Sequence, residues 1–334
     1  MLTTAPGRVL GLGLIFVAVV AVCLLSLAVG SLDIPIPAVV GSFVAFDGTR
    51  EQIIVQELRV PRTLIGITAG IAFALAGTVM QGLTRNPLAD PGILGITAGA
   101  SLAVLIGLEM IGTIDLAGGV WLAMGGAAIA GFAVYTLGAA GGGGATPIKL
   151  AIAGAALASA ISAVLVILLS LSPRSLDEMR FWLVGSIAGR PVDVFWYTLP
   201  FVILGTIAGV LLGRPLNSLS LGDEIATSLG MRVGTVRLIA GSTVIVLAGA
   251  GVAMAGPIAF LGLAVPYIAR AFVGPDWRWV LPYSAILGIV LLLGADILGR
   301  IVVRPNELQV GVVVALIGAP FFVFLVRRRR LDAL

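Results

Sequence analysis

Few side chains in this sequence could carry out chemistry. The chain has no histidine, which removes the commonest proton shuttle and metal ligand at neutral pH. Its one cysteine, Cys23, lies in an apolar run and cannot form a disulfide, metal or redox site alone. The residue types therefore predict no catalytic residue, no metal site and no cofactor.

One acid stands inside an apolar span. Asp296 is followed by Arg300 one helical turn later, which favours an ion pair at a helix end. A charge within a membrane is costly and is usually kept for function, so an ion-coupled carrier stays open as a distant alternative. No proton or sodium path is evident in the sequence.

The sequence also lacks a phosphate-binding loop. The glycine run 141–144 has neither the Lys of the G-x-x-x-x-G-K-[ST] pattern nor a buried strand before it. We therefore expect that the chain is not an enzyme and does not hydrolyse nucleotide. Because an ion path and a nucleotide site are both missing, the sequence favours a permease driven by a separate ATPase.

A polar stretch, Arg214–Arg232, interrupts the otherwise apolar second half of the chain. Asp223 and Glu224 follow a glycine, and Gly230 closes the run. Its apolar residues recur near a helical period: Leu219, Leu221, Ile225 and Leu229. The pattern predicts a short amphipathic helix outside the membrane, with an ordinary cytosolic loop as the alternative.

The composition sets the class of protein. With 59% hydrophobic and 11% charged residues and a mean hydropathy of +1.16, a soluble globule of 334 residues is excluded, since its surface could not be covered with polar groups. The 45 glycines suit helices that pack closely in lipid. The excess positive charge is only +4, much of it in Arg327–Arg330, so no nucleic-acid partner is indicated. We predict an all-α, polytopic membrane protein.

Ten apolar runs approach the roughly 20 residues that cross a bilayer core. A polar stretch, 33–57, is predicted as an external loop because prolines break it, and 172–190 as a short interfacial helix. A glycine-rich connector is expected at 138–144. The runs are 9–29, 60–83, 92–108, 116–137, 147–171, 192–212, 233–253, 258–272, 280–299 and 310–326.

An even number of spans puts both termini on one side. If that side is the cytoplasm, 12 of the 20 Lys and Arg residues lie inside, in agreement with the cytoplasmic bias of basic residues. This orientation places Arg214–Arg232 in the cytosol. We read the whole chain, 1–334, as one transmembrane permease domain of the cytoplasmic membrane.

Several motifs resemble those of one transporter family. They are RVPRT at 59–63, GTVMQ at 77–81, RNPLADPGILG at 85–95, GPIAFLGLAVP at 256–266, and the segment 311–322. The pattern resembles the bacterial iron-siderophore, haem and cobalamin uptake permeases of ABC importers, over almost all of 58–328. One departure is Tyr267, where many relatives carry histidine.

The resemblance implies roles for particular residues. Arginines that would meet acids of an extracytoplasmic binding protein are Arg59, Arg62 and Arg300. Cytoplasmic gate positions are Asn86, Leu88, Thr146 and Pro147. The segment that would couple to the ATPase contains Leu219, Asp223, Glu224, Leu229 and Gly230. The alternatives are that the arginines only anchor helix ends and that the gate positions only form turns.

The resemblance also implies partners and a substrate class. Such permeases pair two subunits in membrane lipid, receive substrate from a binding protein, and work by alternating access with cytoplasmic ATPase subunits. Stretches 83–85 and 300–305 look most like ferric-siderophore permeases, of the catecholate branch. A haem or cobalamin permease is the near alternative, and the second subunit is either a copy of this chain or a paralogue.

Overall fold

A computed structural model describes residues 4–92, 95–112, 116–140 and 146–331. All regular secondary structure in these residues is helical. The helices are α1 (Ala5–Ala28), α2 (Ile36–Val44), α3 (Arg50–Ile54), α4 (Val60–Thr84), α5 (Ile96–Ile111), α6 (Leu116–Ala139), α7 (Pro147–Leu171), α8 (Pro173–Val184), α9 (Val192–Leu211), α10 (Gly213–Ser220), α11 (Asp223–Ser228), α12 (Val233–Ala255), α13 (Leu261–Val273), α14 (Trp277–Val302) and α15 (Val310–Leu331). A π-helical turn, Val55–Arg59, joins α3 to α4.

Within the described residues, seven helical segments are long and apolar enough to cross a membrane. They are α1, the continuous segment Arg50–Thr84, α6, α7, α9, α12 and α14. Helices α5 and α13 and the first part of α15 are apolar but shorter. The all-α, polytopic prediction is confirmed, whereas the count of ten spans and the side of the termini stay predictions.

The stretch 33–57 is more ordered than predicted. It contains α2, α3 and part of the π-helical turn, so its interpretation as a loop was wrong. Pro35 is the N-cap of α2 and Pro37 lies in its first turn, where a missing backbone N–H costs no helical hydrogen bond. These prolines therefore begin a helix. The helix predicted within 172–190 is present as α8, while most of the glycine connector lies outside the described residues.

Helix α4 is the centre of the bundle. Almost every residue from Pro61 to Thr84 is buried, and α4 packs against α9, α12, α13 and α14. Glycines allow the backbones to approach: a Cβ on Gly77 would lie 2.0 Å from the carbonyl oxygen of Gly262 on α13. Such contacts between small residues are the common way in which helices associate in lipid, where no hydrophobic drive brings them together.

We expect Gly77→Ala to lower the free energy of unfolding by about 2 kcal/mol or more, because the new methyl group would meet backbone that cannot rotate away. The measurement is the thermal midpoint of purified protein in detergent, with the amount of folded protein in membranes beside it. The matched control is Gly125→Ala, where an added Cβ meets nothing within 4 Å. Equal stability of the two variants would contradict the close α4–α13 contact.

Candidate functional site

Two polar clusters lie at opposite ends of the central helices. The first, which we name the Asp296 cluster, consists of Arg59, Arg62, Asp296, Arg300 and Glu307, where α4 begins and α14 ends. The second lies where α4 ends and α14 begins, and includes the polar segment of α10 and α11. The predicted orientation makes the first end external and the second cytosolic.

The acid of the first cluster is held by two arginines. Asp296 is 1% exposed and accepts hydrogen bonds from Arg300 Nε at 2.9 Å and from Arg62 Nη2 at 2.7 Å. The other arm of Arg62 donates to Glu307 at 2.6 Å. The predicted pair of Asp296 and Arg300 is therefore present. The Arg62 contact joins helices distant in sequence, and the spacing of residues gave no sign of it.

The remaining donors of these arginines bind the end of α1. Arg300 Nη1 donates to the carbonyl oxygens of Ser26 at 2.8 Å and Val29 at 3.1 Å, and Arg59 Nη1 donates to that of Leu27 at 2.7 Å. The last carbonyls of a helix lack partners within it and carry partial negative charge. Two cations from other helices thus satisfy the carboxyl end of α1.

The cluster is almost closed to solvent. Relative exposures of Arg59, Arg62 and Arg300 are 6%, 9% and 1%, so none of the three predicted docking residues presents a free guanidinium. The side chain of Glu307 is 29% exposed. This acid is therefore the part of the cluster that a partner could reach first.

We expect Asp296→Asn to lower the free energy of unfolding by about 3 kcal/mol, because removing one partner leaves two buried cations without full compensation. Thermal unfolding in detergent measures the loss. Asp47→Asn, the same change at an exposed position, serves as control and should alter stability by less than about 0.5 kcal/mol. A wild-type midpoint for Asp296→Asn would remove the structural role of the cluster.

The segment Arg214–Arg232 folds differently from the prediction. It forms two short helices, α10 and α11, because Gly222 between them has φ +106°, a conformation that favours glycine. Gly230 closes α11 with φ +82°, as its predicted terminal place requires. The single amphipathic helix is therefore corrected to a helix pair with a bend at Gly222.

Three apolar side chains in and around α11 are exposed, and we name them the apolar stripe. Leu219 is only 2% exposed and packs inward, apart from the other residues of its helical period. The exposed apolar residues are Leu221, Ile225 and Leu229, at 57%, 50% and 66%. Glu224 is exposed beside them. These exposed apolar side chains are available for contact with another molecule.

Helix α10 is fixed to the start of α14. Asn217 Nδ2 donates to Asp276 at 2.7 Å, and its Oδ1 accepts from the backbone N–H of Trp277 at 3.0 Å. The hydrogen bond from Arg278 lowers the pKa of Asp276 to about 2, so this carboxylate is charged at neutral pH. Leu216 packs fully buried beside Gly82 of α4.

The predicted gate residues lie on two different connections. Asn86 Oδ1 accepts from the backbone N–H of Leu88 at 3.0 Å, which is a local turn in the loop from α4 to α5. Thr146 is the N-cap of α7, with Oγ1 accepting from the N–H of Lys149 at 3.5 Å, and Pro147 begins the helix. Turn and cap chemistry are therefore present at both positions. A gating role stays a prediction.

A cavity of about 730 Å³ lies beside the α4–α5 loop. Its wall is mostly apolar, and burial there raises the pKa of Asp90 to about 6, although the N–H of Gly92 donates to Oδ1 at 2.8 Å. Asp90 is not among the predicted site residues, although an acid inside an apolar motif between two spans is a signal for it in the sequence. The lining includes 183–184, 257–259, 311–312 and 319–320.

These features define an all-α, multi-pass membrane protein with buried charges at one end of the bundle, exposed apolar side chains at the other, and a cavity beside the α4–α5 loop. A model of the FecCD transport family matches residues 18–328. The chain belongs to the FecCD transport family.

Relatives and a solved structure agree with this assignment. The chain is 43% identical to the ferric enterobactin transport system permease FepD of Escherichia coli, over 95% of this chain and 94% of FepD. It is 41% identical to the probable siderophore transport system permease YfiZ of Bacillus subtilis, over 94% of both chains. An inward-facing structure described as a metal-chelate type ABC transporter superposes with a TM-score of 0.83 at 26% identity, covering 95% of this chain and 98% of that one.

Proposed function

We propose that this chain is the permease subunit of a binding-protein-dependent ABC importer that moves ferric siderophores across the cytoplasmic membrane. The observation that carries the proposal is the match to FepD, a ferric enterobactin permease, along almost the whole of both chains. YfiZ is named for siderophore transport, and YfmD of Bacillus subtilis, at 40% identity over 92% of this chain, for Fe(3+)-citrate import. These names favour an iron chelate over haem or cobalamin.

The Asp296 cluster supports ATP as the energy source. An ion-coupled carrier needs an intramembrane acid that can bind and release its ion. Asp296 is instead held by Arg62 and Arg300 on both oxygens and is 1% exposed. ATP hydrolysis then belongs to separate cytoplasmic subunits, since this sequence has no phosphate-binding loop.

The exposed stripe of Leu221, Ile225 and Leu229 is the surface on which we place the ATPase subunit. An apolar stripe with Glu224 beside it fits a cleft that combines apolar and basic residues. Asp223 and Gly230 then determine the shape of the segment, and the buried side chain of Leu219 packs it against the bundle. Closure of the ATPase pair on ATP would move this surface and open the path by rigid-body motion.

We expect Glu224→Arg to reduce both co-purification of the ATPase subunits and ATP-dependent ferric siderophore uptake by about tenfold, because a reversed charge at the interface repels the partner. The measurement is uptake into vesicles, with the membrane level of the permease checked. Glu51→Arg is the control, since Glu51 is also an exposed first-turn acid of a short helix, at the other end of the bundle. Uptake without ATP, or an unaffected Glu224→Arg variant, would contradict the proposal.

The binding protein would dock at the Asp296 cluster. Groups within the chain already accept hydrogen bonds from Arg59, Arg62 and Arg300. A docking carboxylate must therefore replace one of these internal acceptors. The exposed partner is Glu307, which holds one arm of Arg62 at 2.6 Å. A carboxylate of the binding protein could take the place of Glu307 and form the two-pronged contact that arginine favours.

We expect Glu307→Gln to raise the affinity for the binding protein by about fivefold, because it removes a competing carboxylate and leaves Asp296 in place to hold Arg62. Affinity is measured at low salt on the purified permease complex, and the gain should shrink as salt rises. Glu57→Gln, at an exposed acid of the adjoining π-helical turn, is the control. A weaker or unchanged affinity for Glu307→Gln would remove docking from this position.

The remaining surfaces fit a lipid environment and a second permease subunit. Most residues of the α1 and α7 spans are apolar and unburied, as helices facing lipid would be. The cavity beside Asp90 is bounded partly by α15, whose Leu316 and Ile317 are exposed at 65% and 53%. We place the second subunit, a copy or a paralogue, against this face, with the path for substrate between the two.

A further inference from the structure

We propose that Asp223 is a positioning residue that joins helix α11 to the α4–α5 loop through an ion pair with Arg85. The proposal rests on the proposed function, in which α11 faces the ATPase and the loop forms part of the gate. Asp223 then acts within the permease rather than at the ATPase contact. It gives the motion of α11 a direct route to Asn86 and Leu88.

The carboxylate of Asp223 lies between two arginines of other elements. Its Oδ2 accepts a hydrogen bond from Arg237 of α12 at 2.8 Å, and its Oδ1 lies 3.5 Å from Arg85 Nη2. Oδ1 is enclosed and accepts no hydrogen bond, so Arg85 contacts it as an ion pair without a hydrogen bond. Both side chains are about 40% exposed, which leaves the ion pair partly screened and easily remade.

Arg85 is placed to pass displacement into the loop. It is the C-cap of α4 and has φ +51°, a left-handed conformation that is uncommon outside glycine. Asn86 follows directly, and its side chain forms the turn to Leu88. Because α4 is buried along almost its whole length, we expect a displacement of Arg85 to move the loop rather than the helix.

The two helices of the cytosolic segment are attached differently. Helix α10 is fixed to α14 through Asn217 and packs on α4 through Leu216. Helix α11 follows the bend at Gly222, contacts α10 and α12, and has only Ala226 buried. An ATPase that moves the stripe would therefore displace α11 more readily than α10. Arg237 keeps α11 against α12, and Arg85 connects it to the loop.

A double-mutant cycle tests the pair in the full transporter with its ATPase and binding protein. The variants are Arg85→Gln, Asp223→Asn and the two combined, and the readout is ferric siderophore taken up per ATP hydrolysed. We expect each single change to lower this ratio by about fivefold and the combination to be no worse than either. ATPase co-purification should stay at the wild-type level, and Arg85→Lys should recover part of the ratio. Arg327→Gln, at an exposed arginine of α15, is the control.

A second readout follows the gate directly. In a Cys23→Ala background, Leu88→Cys reports the loop through its rate of labelling by a thiol reagent. ATP should change this rate in the parent protein, and the change should be lost when Arg85→Gln or Asp223→Asn is added. A purely structural role for the pair would leave the ATP-dependent change in place.

The outcomes separate the ion pair from the proposed function. Additive losses in the cycle, or single variants with wild-type uptake per ATP, would overturn the ion pair while leaving the importer intact. Loss of ATPase co-purification in Asp223→Asn would instead make Asp223 a docking residue and overturn the inference. If the parent protein takes up no ferric siderophore with ATP, the proposed function fails, and ATP-dependent labelling at position 88 still decides whether Arg85 and Asp223 act together.

Discussion

The close packing of α4 against its neighbours is the constraint on which the other features depend. In a bilayer the backbone must be satisfied within the protein, and helices gain little from hydrophobic burial against one another. Contacts such as Gly77 on Gly262 and Gly70 on Gly288 bring backbones together where any side chain would separate them. This packing holds α4 as a rigid element, with Arg62 near one end and Arg85 at the other.

The placement of the charged side chains follows from the same constraint. A buried ion is stable only when it is paired and hydrogen-bonded. The Asp296 cluster meets this condition because both terminal nitrogens of each arginine donate to an acid or to a carbonyl oxygen. At the opposite end the ion pairs are partly exposed and share Asp223 between two partners. One end of the bundle is thus firmly cross-linked, while the other can rearrange.

Much of the fold was predictable because apolar runs of membrane length leave few alternatives. The fifth run, 147–171, coincides with α7, and most others agree within a few residues. The errors came from contacts that local pattern cannot show. Pro35 and Pro37 indicate a break in the chain by their residue type, yet they begin α2. The helical period groups Leu219 with Leu221, Ile225 and Leu229, yet it packs inward while those three are exposed. Periodicity gives a face, but tertiary packing decides which face is covered.

The candidate sites, like the fold, could be predicted from the sequence only where the residues are close in the chain. A pair at i and i+4, such as Asp296 with Arg300, is visible in sequence, but Arg62 joins it from a distant part of the chain.

The arrangement at the end of α1 has a consequence for biogenesis. Helix α1 precedes α4 and α14 in the chain, yet the cations that satisfy its last carbonyls come from the turn before α4 and from α14. The carboxyl end of α1 therefore gains one donor as soon as the turn before α4 is made, but its full set only once α14 is in place, so insertion of a late helix completes the attachment of an earlier one.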